Sequence, residues 1–461
     1  MSMEKNVHTL VIGAGPAGLA AAYTLAKAGI PVVVIEKSDS AGGLMRSIRR
    51  GDFIVDIGRK ELYTRIPKVN ALWESLLEDD YISYSHREGI LYRRHVLEAS
   101  NAWRGIRRGM PFAMILSCAF DYAMTNVKYG FSKPTNYTEY WYRRRGKKLS
   151  QILSQGYEEK FKGIQWNDLP IPAKESGDTS AETESIKKLH QAERIKPVWR
   201  HPAKGSGQIC ERLEEEISRL GGEILLKADI VEITSIGNRI DTVKVVRNSE
   251  TITYRPLHIV SSIPVEGLKK FLGHVSPPKS HNMPVRGKRS AICLYLFFDE
   301  PPRFPHVWLK VTCPQMKVGR ITNYAAFNGK MIPDGKTCLC LEFFCTGEDS
   351  LLQMDDEALR QLGIAECVNA GVADSNKCID FFVLRLPGIN AATSWRDDAW
   401  RNLLLMLNSF ENLYNVNRPG TDKATYAGIE AASAILADDK SIFDRENALT
   451  LPIDIRQTAN T

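Results

Sequence analysis

A glycine-punctuated turn between two short apolar strands constrains this chain more than any other feature. Residues 8–12 (HTLVI) form a β-branched run of the kind found in fully buried parallel strands. Gly13-Ala-Gly-Pro-Ala-Gly18 follows directly, then residues 19–28, rich in helix formers and closed by Gly29. A second apolar run, Val32–Ile35, ends on Glu36 and Lys37. Strand, glycine turn, helix and second strand in that order predict a parallel βαβ unit.

Each residue of that unit has a physical task. Gly13 permits the tight turn, Gly15 lets the backbone approach a pyrophosphate, and Gly18 lets helix and strands pack closely. Pro16 and Ala17 open the helix, whose unpaired N–H groups and positive dipole end suit phosphates. Glu36, with Lys37 beside it, ends the second strand, where an acid hydrogen-bonds the adenosine ribose and repels the 2′-phosphate of NADP. The expected ligand is a dinucleotide held by its ADP half.

Ser38-Asp-Ser-Ala-Gly-Gly-Leu-Met-Arg46 then places Gly43 and Leu44 shortly after Glu36. This segment resembles the Gly-Gly stretch after the cradle in the flavin amine-oxidase superfamily, where backbone meets the second phosphate and the flavin side. The resemblance implies FAD. It continues at Asp56-Ile-Gly-Arg-Lys-Glu-Leu-Tyr63, similar to the D-I-G-G-H-x-F-Y segment of one branch, that of UDP-galactopyranose mutase and its protoporphyrinogen-oxidase-like relatives. Arg144-Arg-Gly-Lys-Lys-Leu149 and Tyr157-Glu-Glu-Lys-Phe-Lys-Gly163 resemble that branch's R-x-G-x-x-L and Y-x-x-K-x-W-G. Gly205-Ser-Gly-Gln208, Ile230-Val231, Arg320-Ile-Thr322, Pro333-Asp-Gly-Lys336 and the closing stretch from Asn412 through Arg418 to Thr425-Tyr426 follow in the branch's order.

The resemblance implies an α/β fold: a Rossmann-like FAD-binding domain of the GR2 type with a discontinuous α+β substrate domain of helices and an antiparallel sheet. Residues 1–74, 200–284 and 386–461 would form the FAD domain, and residues 75–199 and 285–385 the substrate domain. Gly58, Arg59, Val231, Arg418, Thr425 and Tyr426 would join the cradle in holding FAD, with Val231 offering its backbone to adenine. The start of the last helix would face the flavin edge where negative charge develops on reduction.

Departures from the branch pattern bear on chemistry. Gly58-Arg59-Lys60 stands where the mutases have Gly-Gly-His, Lys162 replaces the tryptophan, and the stretch after Gly420 is shortened to Thr421-Asp-Lys-Ala424. Lys60, Tyr157, Arg194 and Arg320 are the expected catalytic set, with a partly buried lysine suited to proton transfer and arginines suited to an anion. Lys162 reads as a solvated or ion-paired lysine. The leading expectation is an FAD-dependent oxidoreductase acting on a C–N or C–O bond of a small polar or anionic molecule from a saccharide or natural-product pathway, with O2 as acceptor. A non-redox nucleotide-sugar mutase and a non-catalytic flavoprotein scaffold are the alternatives.

Composition narrows the rest. At 461 residues two packed domains are expected, and a net charge of +7 is too mild for nucleic-acid binding. Nine irregularly spaced cysteines argue against a disulfide framework or a metal site and for buried thiols in a reducing cytoplasm. The N-terminus enters its first strand too soon for a signal peptide. The apolar run 110–119 is too short to span a bilayer. Following Arg104, Arg107 and Arg108, it reads as a core helix, with contact at a membrane surface as the alternative. The polar stretch 170–184 reads as a surface loop.

Overall fold

The computed structural model describes residues 3–99, 109–129, 133–169, 171, 199–272, 289–347, 349–388 and 398–444. Arg194 and nearly all of the expected 170–184 loop lie outside them. The strands are β1 (Met3–Ile12), β2 (Val32–Ile35), β3 (Ser47–Arg50), β4 (Phe53–Asp56), β5 (Tyr81–Ser83), β6 (Glu88–Tyr92), β7 (His95–Glu98), β8 (Arg200–Pro202) and β9 (Glu223–Leu225). Then come β10 (Ala228–Ile236), β11 (Arg239–Arg247), β12 (Glu250–Ser261), β13 (Ser290–Phe298), β14 (Trp308–Val311), β15 (Arg320–Asn323), β16 (Thr337–Cys345), β17 (Cys378–Leu386) and β18 (Leu413–Asn415). The helices that matter for the site are α1 (Pro16–Lys27), α2 (Pro67–Leu77), α3 (Phe112–Tyr129), α4 (Tyr137–Arg145), α5 (Gly156–Lys162), α6 (Gly207–Arg219) and α7 (Thr421–Leu436).

The first sheet has the order β10-β11-β12-β1-β2-β9, with β18 also paired to β12. Its centre is parallel: β1 lies between β12 and β2, and β9 continues beyond β2. Parallel strands buried on both faces must be apolar throughout, which is why residues 8–12 and 32–35 lack alternation. Helices α1, α6 and α7 pack with them in a core containing Val11, Leu19, Val34, Leu213 and Ala427. Close approach is built in: a Cβ on Gly428 of α7 would lie 2.1 Å from Ala17 O on α1.

The second sheet, β17-β13-β16-β15-β14-β6-β7, is antiparallel except where β14 runs parallel to β6. The β-branched and aromatic-rich runs at 291–298, 336–344 and 378–384 lie on adjacent strands, with β13 between β16 and β17. Cys338, Cys340 and Cys345 on β16 are buried free thiols. Residues 81–98 hold three strands, β5 to β7, that sequence reasoning did not identify. Short runs such as Gly-Ile-Leu within β6 are ambiguous alone, and pairing with β14 settles them.

The run 110–119 corrects the expectation of a core helix. It opens α3, whose Phe112, Leu116, Phe120, Met124 and Val127 are exposed, while Cys118 and Thr125 face inward. Among the described residues no helix is long and apolar enough to cross a membrane.

Candidate active site

The cradle is built from backbone. Gly13 has φ +93°, and a Cβ there would lie 2.5 Å from Ser262 Oγ; a Cβ on Gly18 would lie 2.0 Å from Gly13 O. Gly15 differs: nothing lies within 4 Å of where its Cβ would be, so the backbone borders open space. The first turn of α1 begins here, with the unpaired N–H groups of a helix start. The second glycine segment folds onto it. Gly42 N donates to Ala14 O at 2.7 Å, and a Cβ on Gly43 would lie 3.4 Å from Gly15 Cα. Leu44 stays exposed beside them. The Glu36 carboxylate accepts from Ala14 N and Ser38 N, both at 2.8 Å, which orients it and leaves lone pairs for hydroxyls. An open hollow lined by backbone, an oriented acid and an exposed leucine fit the ADP half of a dinucleotide.

Beyond β4 the chain is pinned by buried polar bonds. Asp56 Oδ1 accepts from Ser47 Oγ (2.6 Å) and Ser206 N (2.9 Å), and Oδ2 meets His201 Nε2 at 2.8 Å. Tyr295 donates its hydroxyl to Asp56 O at 2.7 Å and accepts from Gly58 N at 2.9 Å. The Tyr324 hydroxyl sits 2.7 Å from both Asp56 O and Gly58 O. These contacts bring Gly58, at φ +64°, against Glu342 of β16: a Cβ on Gly58 would lie 3.2 Å from Glu342 Oε1.

Around that point a charged chamber forms. Arg320 Nε donates to Glu342 Oε1 at 3.0 Å, its Nη2 bonds Oε2, and Arg59 N donates to Oε1 at 3.1 Å. Burial alone would raise the Glu342 carboxyl, but the charge and hydrogen bonds of Arg320 outweigh it and hold it below the usual range. The Arg59 guanidinium lies 4.3 Å from the Trp308 ring centroid and 3.4 Å from Glu61 Oε2. Tyr157 of α5 packs near Trp308 and Phe344, and burial raises its hydroxyl. Lys60 is the unusual member. Its ammonium has no hydrogen-bond or ion-pair partner among the described residues, and burial lowers its pKa against the opposing pull of Glu342.

A second group adjoins through Glu61. His86 Nδ1 stands 3.0 Å from Glu61 Oε1, a charge contact rather than an aligned hydrogen bond, and Nε2 bonds Glu88 Oε1 at 2.9 Å. Lys310 reaches Glu88 Oε2 at 3.2 Å. Burial pulls His86 down, but the two carboxylates raise it to about 9. Burial likewise raises Glu88, while His86 and Lys310 bring it down to about 2. Trp199 stacks on His86 at 3.8 Å and on Tyr63 at 4.2 Å.

With cradle and chamber in place, comparison with known proteins is decisive. A family model described as flavin containing amine oxidoreductase matches residues 16–370. The chain belongs to that family. FAD is accordingly its cofactor. An L-amino acid oxidase (Cdc18) of Crotalus durissus cumanensis is 34% identical over 100 residues, 22% of this chain and 18% of the relative. The chain thus matches under a fifth of that relative's length. Two solved structures share the fold over nearly the whole chain. Reduced UDP-galactopyranose mutase has 17% identity and a TM-score of 0.73, covering 98% of each chain. A putative protoporphyrinogen oxidase from Exiguobacterium sp. 255-15 has 16% identity and a TM-score of 0.67, covering 95% of this chain and 100% of that one.

The residues singled out from sequence fall into three groups in this flavoprotein. Gly13, Gly15, Pro16, Ala17, Gly18, Glu36, Gly43 and Leu44 converge on the cradle, and Gly58, Arg59, Lys60, Tyr157 and Arg320 on the chamber. Others have different engagements. Lys37 turns to solvent and pairs with Asp229 at 3.1 Å, so its side chain leaves the cradle. Arg418 Nη1 donates to Asn415 O and Asn417 O, both at 2.9 Å, so that nitrogen braces its own loop. Thr425 Oγ1 donates to Thr421 O at 2.8 Å within α7, and Lys68 lies over the Tyr426 ring. Val231 sits at a register shift between Ile230 and Glu232, where a bulge frees backbone from the ladder. Lys162 pairs with Glu158 at 3.6 Å, and Lys160 Nζ donates to the carbonyls of Val311, Cys313 and Val318. Sequence reasoning missed Glu342, although a lone carboxylate in Thr-Cys-Leu-Cys-Leu-Glu-Phe-Phe-Cys was a signal. Glu61, His86, Trp199 and Trp308 carried none.

Proposed function

We propose that this protein is an FAD-dependent oxidase that takes a hydride equivalent from a C–N or C–O carbon of a small polar, anionic molecule. The observation supporting it most is Lys60: a partly buried amine with no partner among the described residues and a lowered pKa, one residue beyond the fixed Gly58-Arg59 segment. Gly13, Gly15, Pro16, Ala17, Gly18, Glu36, Gly43 and Leu44 would hold the ADP half of FAD, with Gly58, Arg59 and the Val231 backbone further along. Arg418, Thr425 and Tyr426 would support the flavin end through the loop and helix they shape. FAD bound there would supply the two-electron acceptor for the hydride, with O2 as the final acceptor of both electrons. Lys60 Nζ takes the proton from the substrate N–H or O–H, its neutral form favoured by burial. Arg320 and Arg59 supply positive charge for an anionic group, and Glu342 fixes Arg320 through its bidentate contact. Tyr157 packs against that pair and orients it.

Peroxide release from panels of amino acids, other amines, polyols and nucleotide-sugars tests the reading. Peroxide with one amine or alcohol class, lost in Lys60→Met although FAD stays bound, is the expected result. A nucleotide-sugar isomerised without net oxidation, and only after prior reduction, would replace it with the mutase reading. Flavin that no candidate reduces would favour the scaffold.

A further inference from the structure

Helix α3 is apolar on the face a helix of a globular protein normally gives to water. Phe112, Leu116, Phe120, Met124 and Val127 recur at helical spacing and are 52–78% exposed. They lie nearly opposite the buried Cys118 and Thr125. Contiguous apolar surface of this kind marks an interaction site. The surrounding charge says with what. Residues 101–150 hold ten lysines and arginines against two carboxylates, a balance of +8, whereas the whole chain carries +7. That stretch of sequence alone therefore carries as much positive charge as the whole chain nets. Lys128 in the last turn, Lys133 just beyond, and Lys147 and Lys148 beside the helix are all exposed. Two copies meeting through such a face would repel each other, whereas an anionic surface would attract it.

We propose that α3 lies flat on an anionic lipid surface, its apolar stripe between the acyl chains and its lysines against the headgroups. At 18 residues it is about 27 Å long, and no described helix is long and apolar enough to cross a membrane, so it rests on the bilayer without crossing it. The helix packs against α4, and Lys148 of the following segment bonds Ser117 of α3. The chain then continues into α5, which carries Tyr157. This inference does not depend on the flavin chemistry and can fail or stand without it.

Vesicle flotation of the full FAD-loaded chain tests it. The protein should float with an equal mixture of phosphatidylcholine and phosphatidylserine and remain behind with phosphatidylcholine alone. The Leu116→Glu/Phe120→Glu variant should stop floating while retaining its flavin and far-UV spectrum. Lys128→Glu/Lys147→Glu should weaken binding by roughly fivefold or more per lysine, and salt should do the same. No flotation by the native chain, or unchanged flotation of the Leu116/Phe120 variant, overturns the proposal. A dimer in light scattering that this variant splits, with no lipid binding by the native chain, assigns the face to a second copy instead.

Discussion

The cradle and the chamber are built by opposite means. In the cradle the side chains matter mostly by being absent: Gly13, Gly15 and Gly18 clear space, and backbone N–H groups with one acid, Glu36, would meet the ligand. In the chamber the side chains do everything, and the backbone serves to pin Gly58 between Tyr295, Tyr324 and Glu342. A site made of backbone depends on consecutive residues and tolerates no added atoms. A site made of charges depends on strand register and tolerates volume better than lost charge.

Substitution in the cradle should therefore have the largest effect. Gly18→Val places atoms where a single Cβ already meets Gly13 O at 2.0 Å. Overpacking costs about 1–3 kcal/mol where side chains can yield, and here only backbone faces it, so the purified variant should contain no FAD by absorbance. Next comes Lys60→Met, which should keep FAD but slow substrate-driven flavin reduction by on the order of 10²–10⁴-fold. In the native protein that rate should rise with pH to a plateau set by a lysine titrating below its ordinary 10.5. Loss of FAD in this variant would merge chamber and cradle into one structural unit.

The chamber was only partly legible before the structure, for the reason just given. Gly13 to Glu36 is contiguous, so its chemistry could be read from spacing. Glu342 meets Arg320 through the β15–β16 register and meets Arg59 across nearly three hundred residues, which no local pattern encodes. Lys60 was legible because it departs from a resembling motif, whereas His86 and Trp199 became visible only when Glu61 and Tyr63 were placed beside them. Strands β5 to β7 were missed because runs of three to five residues cannot declare their period. The apolar stripe of α3 was misread because sequence gives an apolar face without telling what covers it.

Breaking the Arg320–Glu342 pair is the next test of the chamber. Glu342→Gln leaves a buried guanidinium uncompensated and should cost about 3–5 kcal/mol in chemical denaturation. A much smaller loss would mean that water reaches the pair. The His86 group should give a subtler signature. Because His86 is raised to about 9 in the folded state from 6.5, its stabilisation is complete below pH 6.5 and is lost as pH rises through 9. His86→Gln should flatten the stability profile over that window and leave its slope unchanged elsewhere. Lys162→Ala, which removes a partly exposed pair with Glu158, should change stability by less than about 0.5 kcal/mol and activity not at all. A large effect there would extend the chamber to α5's outer face.

The most direct measurement is an anaerobic titration of the purified protein followed by its flavin absorption. Flavin bands bleached by one class of amine or alcohol, restored by air with release of peroxide, and bleached far more slowly in Lys60→Met are predicted. Bands that only dithionite bleaches, across amines, alcohols and nucleotide-sugars alike, would contradict an oxidase.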